Sequence, residues 1–251
     1  MDLEFGCYLI AALLLWWWVY KPHRGGLKRA GLTCLGLGFL IFLLEVFLSI
    51  ISRGGTLSVF QILASTAVGL FYLVLLRFRR WDAVKIAPLV ASVAFLFSLL
   101  GLKVGSFGWN NTFVFLHVVV SVFAFTLLVL SALFSLLRYV AERKLKSGQL
   151  ELPLSLPVEL WARLERSFFF FGFIFLTLEL IFNFIWLKVK VGVLLWDSRI
   201  AATLLLWVYY WLLFHLDRWG ISFVKRHFAV LNTLGALLLV VVLVFTRHKI
   251  E

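Results

Sequence analysis

Apolar runs long enough to cross a bilayer follow one another along the whole chain, separated by short breaks that carry most of the charge. The pattern predicts helical spans over about 5–20, 31–52, 57–76, 84–103, 112–138, 167–187, 199–216 and 228–246. A helix needs about 20 such residues to cross ~30 Å of hydrocarbon, and each run is near that length, the first and seventh being the shortest. The expected fold is therefore all-α: a polytopic membrane protein of eight transmembrane helices, forming one domain over residues 1–251. The first run opens on the acidic stretch Met1-Asp2-Leu3-Glu4 and closes on Trp16, Trp17, Trp18 and Tyr20. A signal peptide would be basic at its start and small at its end, so this run is expected to stay as an interface-anchored helix.

One polar stretch is longer than the rest. Helix five is expected to continue from Arg138 through Tyr139, Val140, Ala141, Glu142, Arg143 and Lys144 until Gly148, with Pro153 and Pro157 then breaking the chain. Residues 158–166 form a short amphipathic piece leading into helix six. Leu160, Trp161 and Leu164 fall at helical spacing with Glu159, Arg163 and Arg166 among them, which predicts a helix lying in the headgroup layer, with docking of a partner as the alternative.

Composition agrees with this architecture: 63% hydrophobic and only 14% charged residues leave too little polar surface to coat a soluble globule, so the lipid bilayer is the chain's solvent. The distribution of charge adds an orientation. Lys and Arg crowd the first, third, fifth and seventh loops, and Arg53, Lys103, Lys188, Lys190, Arg199, Arg247 and Lys249 are the exceptions among the 24. The odd loops are then cytoplasmic by the positive-inside rule, and the N and C termini both lie outside. The net charge of +12 is mainly this topology signal; scattered over loops, it offers no nucleic-acid surface.

Soluble-enzyme chemistry has no foothold in the motifs. There is no Walker loop, GxGxxG, GxSxG or HExxH. Cys7 and Cys34 lie in separate spans and read as small buried hydrophobes, and the absence of CxxCH means the chain carries no covalently attached haem of its own. The sequon Asn110-Asn111-Thr112 lies against a helix start, where a glycan would be crowded. A small-molecule transporter would need spans broken at the midplane, whereas Gly101 and Gly105 sit at a span end.

What remains is a few polar residues that a bilayer makes costly, and these are the functional candidates. His117 lies on the first turns of helix five and His248 just past the last apolar residue of helix eight, at the same outer face. Two imidazoles at one depth on different helices suit the two axial positions of a haem iron; the bland alternative is a capping His117 and a solvated His248. His215 lies about 27 Å below Asp197 along helix seven, near the cytoplasmic face, as an interfacial histidine or a second ligand site. Glu45 lies within helix two and Glu179 within helix six, with Asn183 on the same helical face as Glu179. Interhelical hydrogen bonding is the simplest role for these acids; pairing with one another, lining a polar path or positioning His215 are the others.

Trp196-Asp197-Ser198-Arg199, followed by Trp207, Tyr210 and His215, resembles the CcsA/HemX family of cytochrome c assembly membrane proteins, in which a tryptophan-rich external loop ending in Trp-Asp is flanked by two external histidines. Phe115-Leu116-His117, opening a helix that runs out into Arg138-Tyr139-Val140-Ala141-Glu142-Arg143-Lys144, looks like the family's first external histidine. Phe245-Thr246-Arg247-His248 takes the place of the second, and His215 that of a histidine inside the membrane. The similarity covers roughly residues 112–250. The family loop is WGxxWxWD-like, and here residues 188–197 keep Gly192, Trp196 and Asp197 but lack the earlier tryptophans, nearer the HemX-like branch.

The resemblance implies a membrane haem-binding protein of the cytochrome c biogenesis type in a bacterial-type plasma membrane. It would hold haem b and present it to a membrane-protein partner of cytochrome c assembly, with apocytochrome c as a further partner. Its expected site has His117 and His248 as ligands, Trp196 and Trp109 as stacking walls, and Lys188, Lys190, Arg199 or Arg247 facing the propionates, with His215 as an inner site. Asp197 is expected to cap helix seven or pair with Arg199. The alternative is a HemX-like regulator or scaffold of tetrapyrrole metabolism that transfers no haem.

Overall fold

The computed structural model describes residues 3–52, 56–77, 82–101, 107–108, 112–148, 156–191 and 198–245. They form helices α1 (Leu3–Tyr20), α2 (Gly25–Ser52), α3 (Val59–Arg77), α4 (Ala87–Gly101), α5 (Thr112–Lys146), α6 (Val158–Val191), α7 (Ser198–Arg218) and α8 (Ser222–Phe245). Strands β1 (Thr56–Leu57) and β2 (Phe107–Gly108) pair antiparallel, Thr56 opposite Gly108 and Leu57 opposite Phe107.

Among the described residues, seven helices are long and apolar enough to cross a membrane. The expected span over 84–103 is the exception. Its start is taken up by a 3-10 turn over Ala83–Ile86, entered through Asp82 at φ 52°, so α4 proper has 15 residues and a length of about 22 Å. Two other boundaries differ from the pattern reading. α6 begins at Val158 and runs unbroken to Val191, so residues 158–166 are its first turns and not a separate surface helix. Leu160, Trp161 and Leu164 are 0% exposed, and the Trp161 ring lies 6.0 Å from that of Phe134 on α5. An apolar stripe at helical spacing serves lipid or protein equally well, and here the protein's own core takes it. At the other end, Lys188 and Lys190 belong to the last turns of α6. The end of α5 follows expectation, with Gly148 at φ 76° just past the helix, where a residue with Cβ would be strained.

The chain divides into two compact units, Met1–Thr112 and Phe113–Glu251. In the first, α1 packs on α2 and α4, and α3 on α4 and α2. Gly31 and Gly38, one α2 face two turns apart, let the backbone approach α1: a Cβ on either would stand 2.6 Å from Leu15 or Tyr8. Polar pins cross this unit. Ser65 donates to Glu4 Oε1 at 2.9 Å, the Tyr8 hydroxyl lies 3.0 Å from Ser65, and Trp16 Nε1 donates to Ser92 at 3.0 Å. Glu45, half-buried on α2, belongs to this unit.

The second unit is built from α5–α8 around Leu128, Phe169, Leu176, Tyr210, Phe228 and Leu239. Gly172 brings α6 against α5, since a Cβ there would lie 3.1 Å from the backbone nitrogen of Leu128. The turn between α7 and α8 closes through Gly220 at φ 82°, with the Ile221 amide donating to the Leu216 carbonyl at 3.2 Å. That pair of features is the glycine-terminated helix end that makes a tight reversal possible.

Candidate functional site

Polar side chains gather at both ends of the second unit. At one end, Ser131 and Ser135 lie one turn apart on α5 and face Glu165 on α6 and Asn232 on α8, all four 0% exposed. Ser135 donates to Glu165 Oε1 at 2.6 Å and Ser131 to the Glu165 carbonyl at 3.0 Å. Asn232 Nδ2 spans both serines at 2.9 Å. The outer carboxylate oxygen of Glu165 meets Arg138 Nη1 at 2.6 Å, and Arg138 Nε reaches Glu142 at 3.3 Å. A carboxylate buried this deeply stays ionised only when a cation and hydrogen-bond donors replace its water, and Arg138 with Ser135 does so. Beside this network opens a cleft of about 170 Å³ lined by Arg138, Glu165, Arg166, Asp217, Lys225 and Phe228.

His215 belongs to the same end, two residues before Asp217 on α7. Its ring lies 4.4 Å from Trp211, 5.2 Å from Phe214 and 5.8 Å from Trp219, and Phe214 in turn stacks on Phe169 and Phe173. The Nδ1 of His215 lies 2.9 Å from the Trp211 carbonyl oxygen. A carbonyl only accepts, so Nδ1 is the donor in this contact and Nε2 is the ring nitrogen it leaves unused. The result is an imidazole set in an aromatic wall.

The opposite end holds His117, half-buried on the second turn of α5. Its carbonyl accepts from Ser121 at 2.8 Å, and the Ser121 hydroxyl is also within hydrogen-bonding reach of the Glu179 carboxylate. Asn183 donates to Glu179 Oε1 at 3.2 Å. Across α6, Trp207 Nε1 donates to Thr177 at 3.0 Å, which fixes α7 at the same level. Glu179 therefore serves the His117 side of the unit and does not position His215: it lies 14 residues, about 20 Å, along α6 from Glu165 at the other end.

His117 and His215 cannot share one iron. His117 is 21 residues before Arg138 on the same helix, about 30 Å, and Arg138 lines the cleft with Asp217. α8 enters at the cleft through Lys225 and runs to Phe245, the last described residue before His248, so its far end lies with His117. Trp109, Trp196, Asp197, Arg247 and His248 lie outside the described residues, as does the side chain of Arg199, whose backbone is in the first turn of α7. Among the described residues, no group of three or more His, Cys, Asp or Glu forms a metal cluster. Pattern reading did not find Ser131, Ser135, Glu165 and Asn232 as a site. The only signal was a carboxylate at the buried edge of an amphipathic stripe.

A family model described as Cytochrome C assembly protein matches residues 26–250, a stretch that includes His117, His215 and His248. No curated protein and no solved structure matches the chain.

Proposed function

Because the chain belongs to the cytochrome c assembly protein family, we propose that it is a multi-pass haem-binding protein of cytochrome c biogenesis, holding haem b between His117 and His248 and presenting it to a membrane partner. The observation that carries this reading is the placement of His117 at the end of the second unit toward which α8 runs before His248. Haem would be held by His117 on α5 and by His248, which follows α8 in the chain, and would gain from each an imidazole nitrogen for its iron. Bound there, the group would bring a redox-active iron and two carboxylates. The chain's own contribution is to ligate through the two imidazoles, meet the carboxylates with Arg199 and Arg247, and offer Trp196 and Trp109 as apolar walls.

The same proposal assigns eight crossings, with the short α4 as the fourth, and places both termini on the non-cytoplasmic side of a bacterial-type plasma membrane. The charge supports it, because cations outnumber carboxylates over residues 138–148 and 215–227, which lie at the cleft end. His215 would then stand at the cytoplasmic side, as an inner ligand in its aromatic wall. Apocytochrome c is the partner class that an outward-facing haem suits.

A HemX-like regulator or scaffold is the second reading, favoured by the loop over residues 188–197, where Trp196 stands without the family's earlier tryptophans. An absorption spectrum of detergent-purified protein separates the two. Haem handling predicts a Soret band that falls, down to any inner population at His215, when His117→Ala and His248→Ala are combined; a protein without the band, or a band unchanged in that double variant, removes the haem reading and leaves the scaffold.

A further inference from the structure

The cleft at the Arg138 end is a charged chamber in a membrane helix bundle. Three cations, Arg138, Arg166 and Lys225, face two carboxylates, Glu165 and Asp217, with Phe228 as the apolar floor. Arg138 and Glu165 already satisfy one another at 2.6 Å, and neither is free for a ligand. That leaves Arg166 and Lys225, both exposed, facing Asp217. Among the lining residues alone three positive charges face two negative ones, and Glu142, outside the cleft, shares Arg138 with Glu165.

Its depth is informative. Arg166 is two turns into α6, Asp217 is next to last in α7 and Lys225 is in the first turn of α8, so the cleft opens where three spans meet the water interface. The Lys225 ammonium lies over the reversal between α7 and α8, 3.4 Å from where a Cβ on Gly220 would stand, which keeps it at the rim. The floor is fixed behind it by Ser131, Ser135 and Asn232, so the two free cations stand on a rigid base.

We infer that this cleft binds a singly charged phosphate group of the kind an anionic phospholipid headgroup presents, held between the Arg166 guanidinium and the Lys225 ammonium. Arg offers a paired set of donors to phosphate oxygens, Lys a point charge, and a phosphodiester carries the one negative charge by which Arg166 and Lys225 exceed Asp217. Its position at the headgroup level brings such a ligand to it by lateral diffusion, and basic pockets between spans on the cytoplasmic side are suited to this chemistry. The site needs no haem, while its place at the headgroup level rests on the topology proposed above.

The test uses the full chain, purified in detergent and reconstituted into nanodiscs of phosphatidylcholine with or without phosphatidylglycerol. Retained phosphatidylglycerol is counted by native mass spectrometry, and thermal stabilisation is read with phosphatidylglycerol or with inorganic phosphate as the probe. Arg166→Gln with Lys225→Gln removes the two exposed cations without touching the buried pair, and Arg143→Gln with Lys146→Gln removes the same charge outside the cleft. Retention in the cleft variant is expected to fall about tenfold below that of the control variant. If inorganic phosphate stabilises the wild type through Arg166 and Lys225 while phosphatidylglycerol does not, the site takes free phosphate and the phosphate chemistry stands. Equal losses in the two variants, or no loss with either probe in the cleft variant, overturn the inference.

Discussion

Arg138 on α5 and Glu165 on α6 face each other with 2.6 Å between Nη1 and Oε2, the carboxylate fully buried and the guanidinium 15% exposed. The carboxylate's other oxygen accepts from Ser135, so the carboxylate has no water to fall back on. Breaking such a pair from one side strands the partner charge in a medium that cannot solvate it. Arg138→Gln is therefore expected to cost about 3–5 kcal/mol, whereas Arg138→Met combined with Glu165→Leu should recover much of that loss. Thermal unfolding in detergent measures both. The exposed pair Arg163–Glu159, also on α6, gives the reference: Arg163→Ala should lower stability by less than about 1 kcal/mol. A single Arg138 variant no worse than Arg163→Ala would show that the buried pair bears no strain.

Asn232 is the only residue of α8 whose described hydrogen bonds cross to α5, donating to Ser131 and Ser135 at 2.9 Å each. Replacing it with Leu keeps the size but removes both donors, leaving two buried hydroxyls short of a partner. The expected loss is about 1–2 kcal/mol, with more of it recovered when Ser131→Ala and Ser135→Ala are added than their separate effects would predict. A thermodynamic cycle over the three positions reads that coupling, and strict additivity would mean that the cluster does not act as a unit.

The helices were legible because length and apolarity alone decide whether a segment can cross a bilayer, and each expected run has its counterpart, α4 short. The boundaries around residues 158–166 and 188–191 were not, since the stripe Leu160, Trp161, Leu164 has the same spacing whether it faces lipid or Phe134. Arg138 falls in the expected continuation of helix five, but nothing in the pattern marks its partner, Glu165, 27 positions away. Asn232 and Ser131 are 101 positions apart, and single polar residues in apolar helices carry no mark of whom they will meet. Counting residues puts His215 far along α7 from Ser198, where the structure has it in the last turn, and the aromatic wall of Trp211, Phe214 and Trp219 follows from their spacing around it. Of the outer candidates only His117 has its side chain among the described residues, so the haem pair stands on the family and on helix direction.

Gly235 on α8 is packed against α7 so closely that a Cβ would lie 2.8 Å from the Tyr209 ring and 2.9 Å from the hydroxyl oxygen of Tyr210. Gly6 on α1 has nothing within 4 Å of the same position. One added methyl thus has opposite consequences. Gly235→Ala is expected to destabilise by about 1–3 kcal/mol as the tyrosines are pushed away, while Gly6→Ala should be neutral or stabilising by up to about 1 kcal/mol through helix propensity. Melting temperatures of the two variants, measured side by side, check the sign as well as the size.

The separation of His117 from His215 by about the thickness of the bilayer core makes them members of different sites. Each should then respond to mutation alone. His215→Ala removes the only described imidazole whose Nε2 sits in an aromatic wall, and it should abolish any haem bound at the cleft end while leaving outer haem at His117 spectrally unchanged. His117→Ala should do the reverse, shifting or removing the outer Soret signal and leaving an inner population intact. Haem content per protein, taken from absorbance and from pyridine haemochrome quantitation, should fall in the double variant by the sum of the two single losses. A His215→Ala protein that loses all haem would instead mean that the cleft end must load first, and the two sites would be joined in sequence even though they are separate in space.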